Sequence, residues 1–149
     1  MSQDVLIIMG SKSDQSFADE TAAMLEKLGI GFEIETSSAH RHPDKTIKLA
    51  REASGRGFKV IICLAGMAAH LPGVVAANCN LPVIGVPVPT SLGGMDAILS
   101  MAQMPPGIPV ATVAIGKAGA QNSAVLAARI LGLTNQEIAE KHRQFRQSL

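Results

Sequence analysis

The sequence has no tryptophan and no tyrosine, and only four phenylalanines. Platforms that stack unpaired bases are built from such rings, so a nucleic-acid surface of that kind is excluded. An excess of one charge is also lacking. Thirteen Lys and Arg face twelve Asp and Glu, a formal net charge of +1. That balance creates no field able to capture a phosphate backbone or an anionic membrane, so neither is expected as a partner. There is no apolar run of about 18 residues, the length a membrane-spanning helix needs. Cys63 and Cys79 are too few and too isolated for a disulfide framework or a CxxC site, and reduced thiols are expected. Met1-Ser2-Gln3-Asp4 carries no basic stretch of the kind that opens a secretion signal, so a cytoplasmic protein is expected.

What is present points to an ordinary core. Hydrophobic residues make up 47% of the 149 and charged ones 17%, which excludes disorder. A chain of this length reads as one domain, residues 1–149. Val5–Met9, Val60–Ala65, Pro82–Val88 and Val110–Ile115 are near-continuous apolar runs, the pattern of strands buried on both faces. Phe32–Thr36 is shorter and alternates. Helical spacings separate these runs: Phe17 to Leu28 stopped by Gly29, Pro43 towards Gly55–Gly57, a short piece at Val74–Ala77, Met95–Met101, and Ala120–Leu131 after a turn at Gly116–Gly119. A last polar helix is expected from a cap at Thr134. Five strands alternating with helices predict a flavodoxin-like α/β sandwich on a five-stranded parallel sheet.

Parallel sheets bind ligands beyond the carboxyl ends of their strands, where the strand order switches. That rule selects Gly10–Asp14, Ser37–His42, Gly66–Gly73, Pro87–Gly94 and Gly116–Gly119, which hold three of the four histidines. Gly10-Ser11-Lys12-Ser13-Asp14 has the composition of an anion-binding turn, although taken alone it reads first as a plain strand-to-helix turn capped by Ser13 or Asp14. In Ser38-Ala39-His40-Arg41-His42-Pro43 a histidine able to move a proton near neutral pH adjoins a guanidinium able to fork onto a phosphate. A polar turn leading into a helix that begins at Pro43 is the alternative. His70 stands among small apolar residues, either facing a dry pocket or bonded to backbone in the core. His142, beside Lys141, Arg143 and Arg146, reads as part of a solvated face. His40, His42 and His70 could suit zinc, but no carboxylate or thiol adjoins them in sequence, and no metal is expected. Met95, Met101 and Met104 read as packing.

Taken together, the motifs resemble a known family. They are Gly10-Ser11-Lys12-Ser13-Asp14, Ser38-Ala39-His40-Arg41-x-Pro43, Ala68-Ala69-His70-Leu71-Pro72-Gly73, the run Leu81–Val88, the run from Gln103 to Thr112 and the run from Ala114 to Asn122. The resemblance is to the N5-carboxyaminoimidazole ribonucleotide mutases of purine biosynthesis, and it covers nearly the whole chain. It implies an isomerase that works as a homo-octamer without cofactor or metal. Such an enzyme moves a carboxylate from the exocyclic nitrogen of a small-molecule ribonucleotide to C4 of its imidazole, by decarboxylation and recarboxylation. An ATP-dependent synthase would supply the substrate.

The resemblance implies His40 as general acid and base, Ser11, Ser13, Asp14, Ser38 and Arg41 as nucleotide-binding residues, and Gly66, Ala69, His70 and Leu71 around the reacting carboxylate. Direct carboxylation of aminoimidazole ribonucleotide by CO2 is the alternative within the wider family, whose CO2-using members carry Lys where Arg41 stands. The sequence departs from the family's pattern at His42, where Thr is usual, and at Leu64 and Met67, where Gly is usual. The stretch Pro89–Gly94 is one residue short.

Overall fold

The computed structural model describes residues 2–149 and bears out the sandwich. Five parallel strands, β1 (Gln3–Met9), β2 (Gly31–Thr36), β3 (Val60–Gly66), β4 (Val83–Val88) and β5 (Ala111–Thr112), lie in the order β2-β1-β3-β4-β5. The helices are α1 (Gln15–Lys27), α2 (Pro43–Ala53), α3 (Leu71–Ala77), α4 (Met95–Ala102), α5 (Lys117–Leu131) and α6 (Gln136–Gln147). None among the described residues is long and apolar enough to cross a membrane.

The continuous apolar runs have a simple cause. Successive side chains of a strand point to opposite faces, and here both faces are covered. Val5, Ile7, Val60, Ile62 and Ile84 face one layer, with Leu25, Ala124 and Ile138 of α1, α5 and α6. Leu6, Ile8, Ile61 and Cys63 face the other, with Leu49, Val75 and Met101 of α2, α3 and α4. Each fully buried Ile, Leu or Val contributes about 1.5–3 kcal/mol relative to exposure, so these central strands hold the frame that carries the loops.

Four sequence expectations are corrected. The run Val110–Ile115 pairs as a strand only at Ala111 and Thr112, opposite Ile84 and Gly85. It is an edge strand entered through Pro109, which has no N–H to give a ladder, and beyond it only Val113 and Gly116 donate singly to Gly85 and Pro87. Gly116–Gly119 is not a turn throughout. Gly116 turns the chain at φ +78°, and Lys117 already opens α5. The cap of α6 is Asn135, whose Oδ1 accepts from the N–H groups of Glu137 (3.1 Å) and Ile138 (3.2 Å), one residue beyond Thr134. Helix α3 begins at Leu71, three residues before Val74, because Pro72 suits a first helical turn.

Candidate active site

Three loops leave the carboxyl ends of β1, β2 and β3 and meet over the point where the strand order reverses. They enclose a cavity of about 450 Å3. The β1 loop folds into a single 3-10 turn, Lys12–Asp14, through a reciprocal cap. Ser13 N–H donates to Ser11 Oγ (3.3 Å), and Ser11 N–H donates to Asp14 Oδ2 (3.2 Å). The two serine hydroxyls lie 2.9 Å apart.

The β2 loop is pinned from beneath. Ser37 Oγ and Thr46 Oγ1 of α2 are 2.7 Å apart and buried, and Thr46 Oγ1 also reaches the His42 carbonyl at 3.1 Å. Arg41 N–H donates to Ser38 Oγ (3.0 Å), which closes the turn and puts His40 at its tip. The β3 loop passes close under β4. A Cβ on Gly66 would stand 3.1 Å from Thr90 Cγ2 and 3.2 Å from the Val88 carbonyl, so a larger residue would push this loop outward. Two tight turns follow, with Ala69 N–H on the Met67 carbonyl (2.8 Å) and His70 N–H on that of Ala68 (2.7 Å). The N–H groups of Met67 and Ala68 themselves find no acceptor among the described residues.

The three loops bring His40 and His70 together. Their rings meet edge to face, with His40 Nε2 2.7 Å from His70 Nδ1 across thirty positions of sequence. All ten residues singled out from the sequence, Ser11, Ser13, Asp14, Ser38, His40, Arg41, Gly66, Ala69, His70 and Leu71, line the cavity. Thr90, Met67 and Ala68 line it as well. Thr90 was within reach of the strand-end rule, since it lies in the selected segment Pro87–Gly94. No residue of Gly116–Gly119 reaches the lining.

His70 is exposed, so its core reading falls, and its ring bonds to another imidazole rather than to backbone. His42 lies outside the lining, so the three histidines do not converge. Among the described residues no group of three or more His, Cys, Asp or Glu comes together. Neither cysteine reaches the cavity, and burial pushes both thiols up, away from the thiolate form. His142 corrects another expectation. Its Nε2 is buried without a partner, and burial first, then the cations of Arg129 and Arg146, push its pKa down.

Asp14 is the one carboxylate in the lining, and Arg41 is the one guanidinium, with no ion pair recorded for it among the described residues. Asp14 is 6% exposed. Burial pushes its pKa up, and the Ser11 N–H offsets part of this. A carboxyl whose folded pKa lies above its unfolded value stabilises below the unfolded value and loses that contribution as pH rises through the folded one. Asp14→Asn, which keeps an acceptor for Ser11, should therefore be more stable than wild type at neutral pH and lose that advantage in acid. The advantage should read as a higher Tm than wild type at neutral pH. Thermal melts at pH 7 and at pH 3.5 check this, and an equal Tm difference at the two values would refute it.

A doubly wound sheet with a cleft of titratable groups at its switch point defines a flavodoxin-like α/β enzyme. A model of the family described as AIR carboxylase matches residues 4–149. The N5-carboxyaminoimidazole ribonucleotide mutase of Pseudomonas aeruginosa is 57% identical over 147 residues, which are 98% of this chain and 90% of that one. The Escherichia coli protein of the same name is 48% identical over 145 residues, 97% of this chain and 86% of its own. The crystal structure of Treponema denticola PurE superposes with a TM-score of 0.87 at 34% identity, covering 97% of this chain and 89% of that one. The chain belongs to the AIR carboxylase family, and it is an enzyme of the isomerase class.

Proposed function

We propose that this enzyme moves the carboxylate of N5-carboxyaminoimidazole ribonucleotide from the exocyclic nitrogen to C4, giving 4-carboxy-5-aminoimidazole ribonucleotide for purine biosynthesis. The observation that carries this reading is the 2.7 Å contact between His40 and His70 in the wall of the cavity. The name of the relatives supports the choice of substrate.

His40, entering as imidazolium, gives its proton to the exocyclic nitrogen as the N–C bond breaks and CO2 forms. C4 then attacks CO2, and the C4 proton returns to His40, so no net proton is exchanged. Between two nitrogens 2.7 Å apart only one proton fits. The contact therefore holds one nitrogen of the His40 ring against His70 and leaves the other, Nδ1, to give and take the substrate proton. Arg41 takes the phosphate through its planar fork, and Asp14 accepts from ribose hydroxyls. Ser11, Ser13 and Ser38 add hydroxyls to the same wall. Gly66, Ala69 and Leu71 enclose the carboxylate, towards which the unpaired N–H groups of Met67 and Ala68 can point. In this reading no cofactor or metal takes part.

The reading extends to the chain as one domain, residues 1–149, assembled as a homo-octamer in the cytoplasm and supplied by an ATP-dependent synthase. Assembly is supported by the apolar surface that Leu92, Met95 and Leu99 leave exposed around α4 (66%, 56% and 53%). Light scattering on the purified protein should give eight copies, and a monomer at micromolar concentration would end that part of the reading.

Direct carboxylation is a second reading, favoured by the family's description as AIR carboxylase. One experiment separates the two. Substrate labelled with carbon-13 in the carbamate is converted in unlabelled bicarbonate, without ATP or added metal. Label retained in the C4 carboxylate supports internal transfer, whereas unlabelled product establishes uptake from solution. No conversion beyond spontaneous decay would overturn both.

A further inference from the structure

Strand β4 ends at Val88, which pairs with Gly66 of β3, and Thr90 stands just past that end. Pro89 fixes the backbone before it, and the Thr90 carbonyl accepts from Gly93 N–H (3.0 Å), which closes a turn. The side chain is held as well. Its Cγ2 is the atom that a Cβ on Gly66 would meet at 3.1 Å, so the methyl rests beside the third loop. Threonine is stiff at χ1, and that one angle places methyl and hydroxyl together, so the seated methyl also fixes Oγ1. Thr21 and Thr46 spend their hydroxyls inside the fold, the first on the Ala120 carbonyl and the second on Ser37 and the His42 carbonyl. Thr90 is exposed and lines the cavity, and its hydroxyl makes no hydrogen bond to protein among the described residues.

We infer that Thr90 is a substrate-binding residue whose hydroxyl donates to the carboxylate from the β4 side of the cavity. The inference deepens the reading above and rests on it. That reading sets the carboxylate against Gly66, Ala69 and Leu71, and an anion brought there must be met by donors. The hydroxyls of Ser11, Ser13 and Ser38 belong to the first and second loops. On the third loop the lining offers the His70 ring and backbone N–H groups, and no other side-chain donor. Thr90, beside Gly66, supplies the one hydroxyl on that side. An O–H donor to a carboxylate makes a short, strong hydrogen bond. Thr90 carries no proton in the reaction. It separates ribonucleotides that bear the carboxylate from those that lack it.

The test titrates wild type, Thr90→Val and Thr90→Ser by calorimetry with two probes. One is 4-carboxy-5-aminoimidazole ribonucleotide, and the other is aminoimidazole ribonucleotide, which lacks only the carboxylate. Valine keeps the methyl contact and loses the hydroxyl. Thr90→Val should therefore bind the carboxylated probe about tenfold more weakly, the order of a hydrogen bond to a charged group. Its binding of aminoimidazole ribonucleotide should stay within about twofold of wild type, which also shows the site to be intact. Thr90→Ser keeps the hydroxyl and should hold the carboxylated probe within about threefold of wild type. Equal weakening of both probes in Thr90→Val overturns the inference, and so does no weakening of either. A serine variant as weak as the valine one makes the methyl responsible and overturns it too. In those cases a wild type that binds the carboxylated probe leaves the transfer reading standing. Wild type that fails to bind that probe removes the transfer reading itself, and the inference with it.

Discussion

His40→Asn should lose turnover by about 10^4-fold while ribonucleotide binding stays within a few-fold of wild type. The expectation follows from one imidazole serving both halves of the reaction. General acid–base catalysis by a positioned side chain is worth about 10^2–10^4 for a proton transfer, and here its loss strikes donation and removal together. Asparagine keeps a polar group of similar reach beside His70 but cannot carry the proton. The fold should be indifferent to the change, because His40 is exposed at the tip of a loop held by Ser37, Ser38 and Thr46. Single-turnover kinetics with labelled substrate, paired with calorimetric titration of the product, would measure both sides. A variant within tenfold of wild-type turnover would remove His40 from its role. Equal losses of binding and turnover would make it a binding residue instead.

The largest effect on stability is expected at Gly119→Ala. A Cβ built there would lie 1.6 Å from the Ala114 carbonyl oxygen and 2.6 Å from its carbon. That neighbour is backbone and cannot rotate away, so either the first turn of α5 or the segment joining it to β5 must shift. The shift would disturb Ala120 and Ala124, which are fully buried against the central strands. Overpacking of a core costs about 1–3 kcal/mol, and a clash with backbone belongs at or above the upper end. With about 3 kcal/mol lost, Tm should fall by about 6–12 °C for a domain of this length. Gly55→Ala is the control for glycine as such: like Gly119 it lacks positive φ, but a Cβ there meets only the Glu52 carbonyl oxygen at 3.6 Å, an ordinary contact, so little change is expected. Similar losses in the two variants would show that conformational freedom, not contact, explains Gly119.

The loops at the carboxyl ends of the strands could be read from sequence because hydrophobic runs end abruptly where glycine, serine and histidine begin. The central strands could be read for the same reason: burial on both faces leaves no room for polar residues in Val5–Met9 or Val60–Ala65. The edge was harder. Val110–Ile115 is as apolar as a central strand, yet its pairing depends on where β4 ends and on the missing N–H of Pro109, neither of which an apolar run reveals. Gly119 was misread as part of a turn for a related reason. Its side-chain hydrogen marks a close approach between two backbones rather than a flexible joint. His142 was misread because the charged neighbours that make α6 look solvated, Lys141 and Arg143, are local, whereas what buries its Nε2 is tertiary.

From residue order alone came the α/β alternation, the two-faced burial of the sheet and the gathering of reactive side chains on three loops, because each is set by local pattern and the direction of the chain. The tertiary structure decided the contacts between those loops. His40 and His70 are thirty positions apart, and nothing in their flanking residues sets the 2.7 Å between their nitrogens. That distance comes from the β1–β3 register, which pairs Met9 with Leu64, and from the β1–β2 register, which pairs Met9 with Thr36, so that the second and third loops rise from neighbouring strand ends on either side of β1. Local pattern chooses which groups a loop carries, but only packing of distant segments sets their separation.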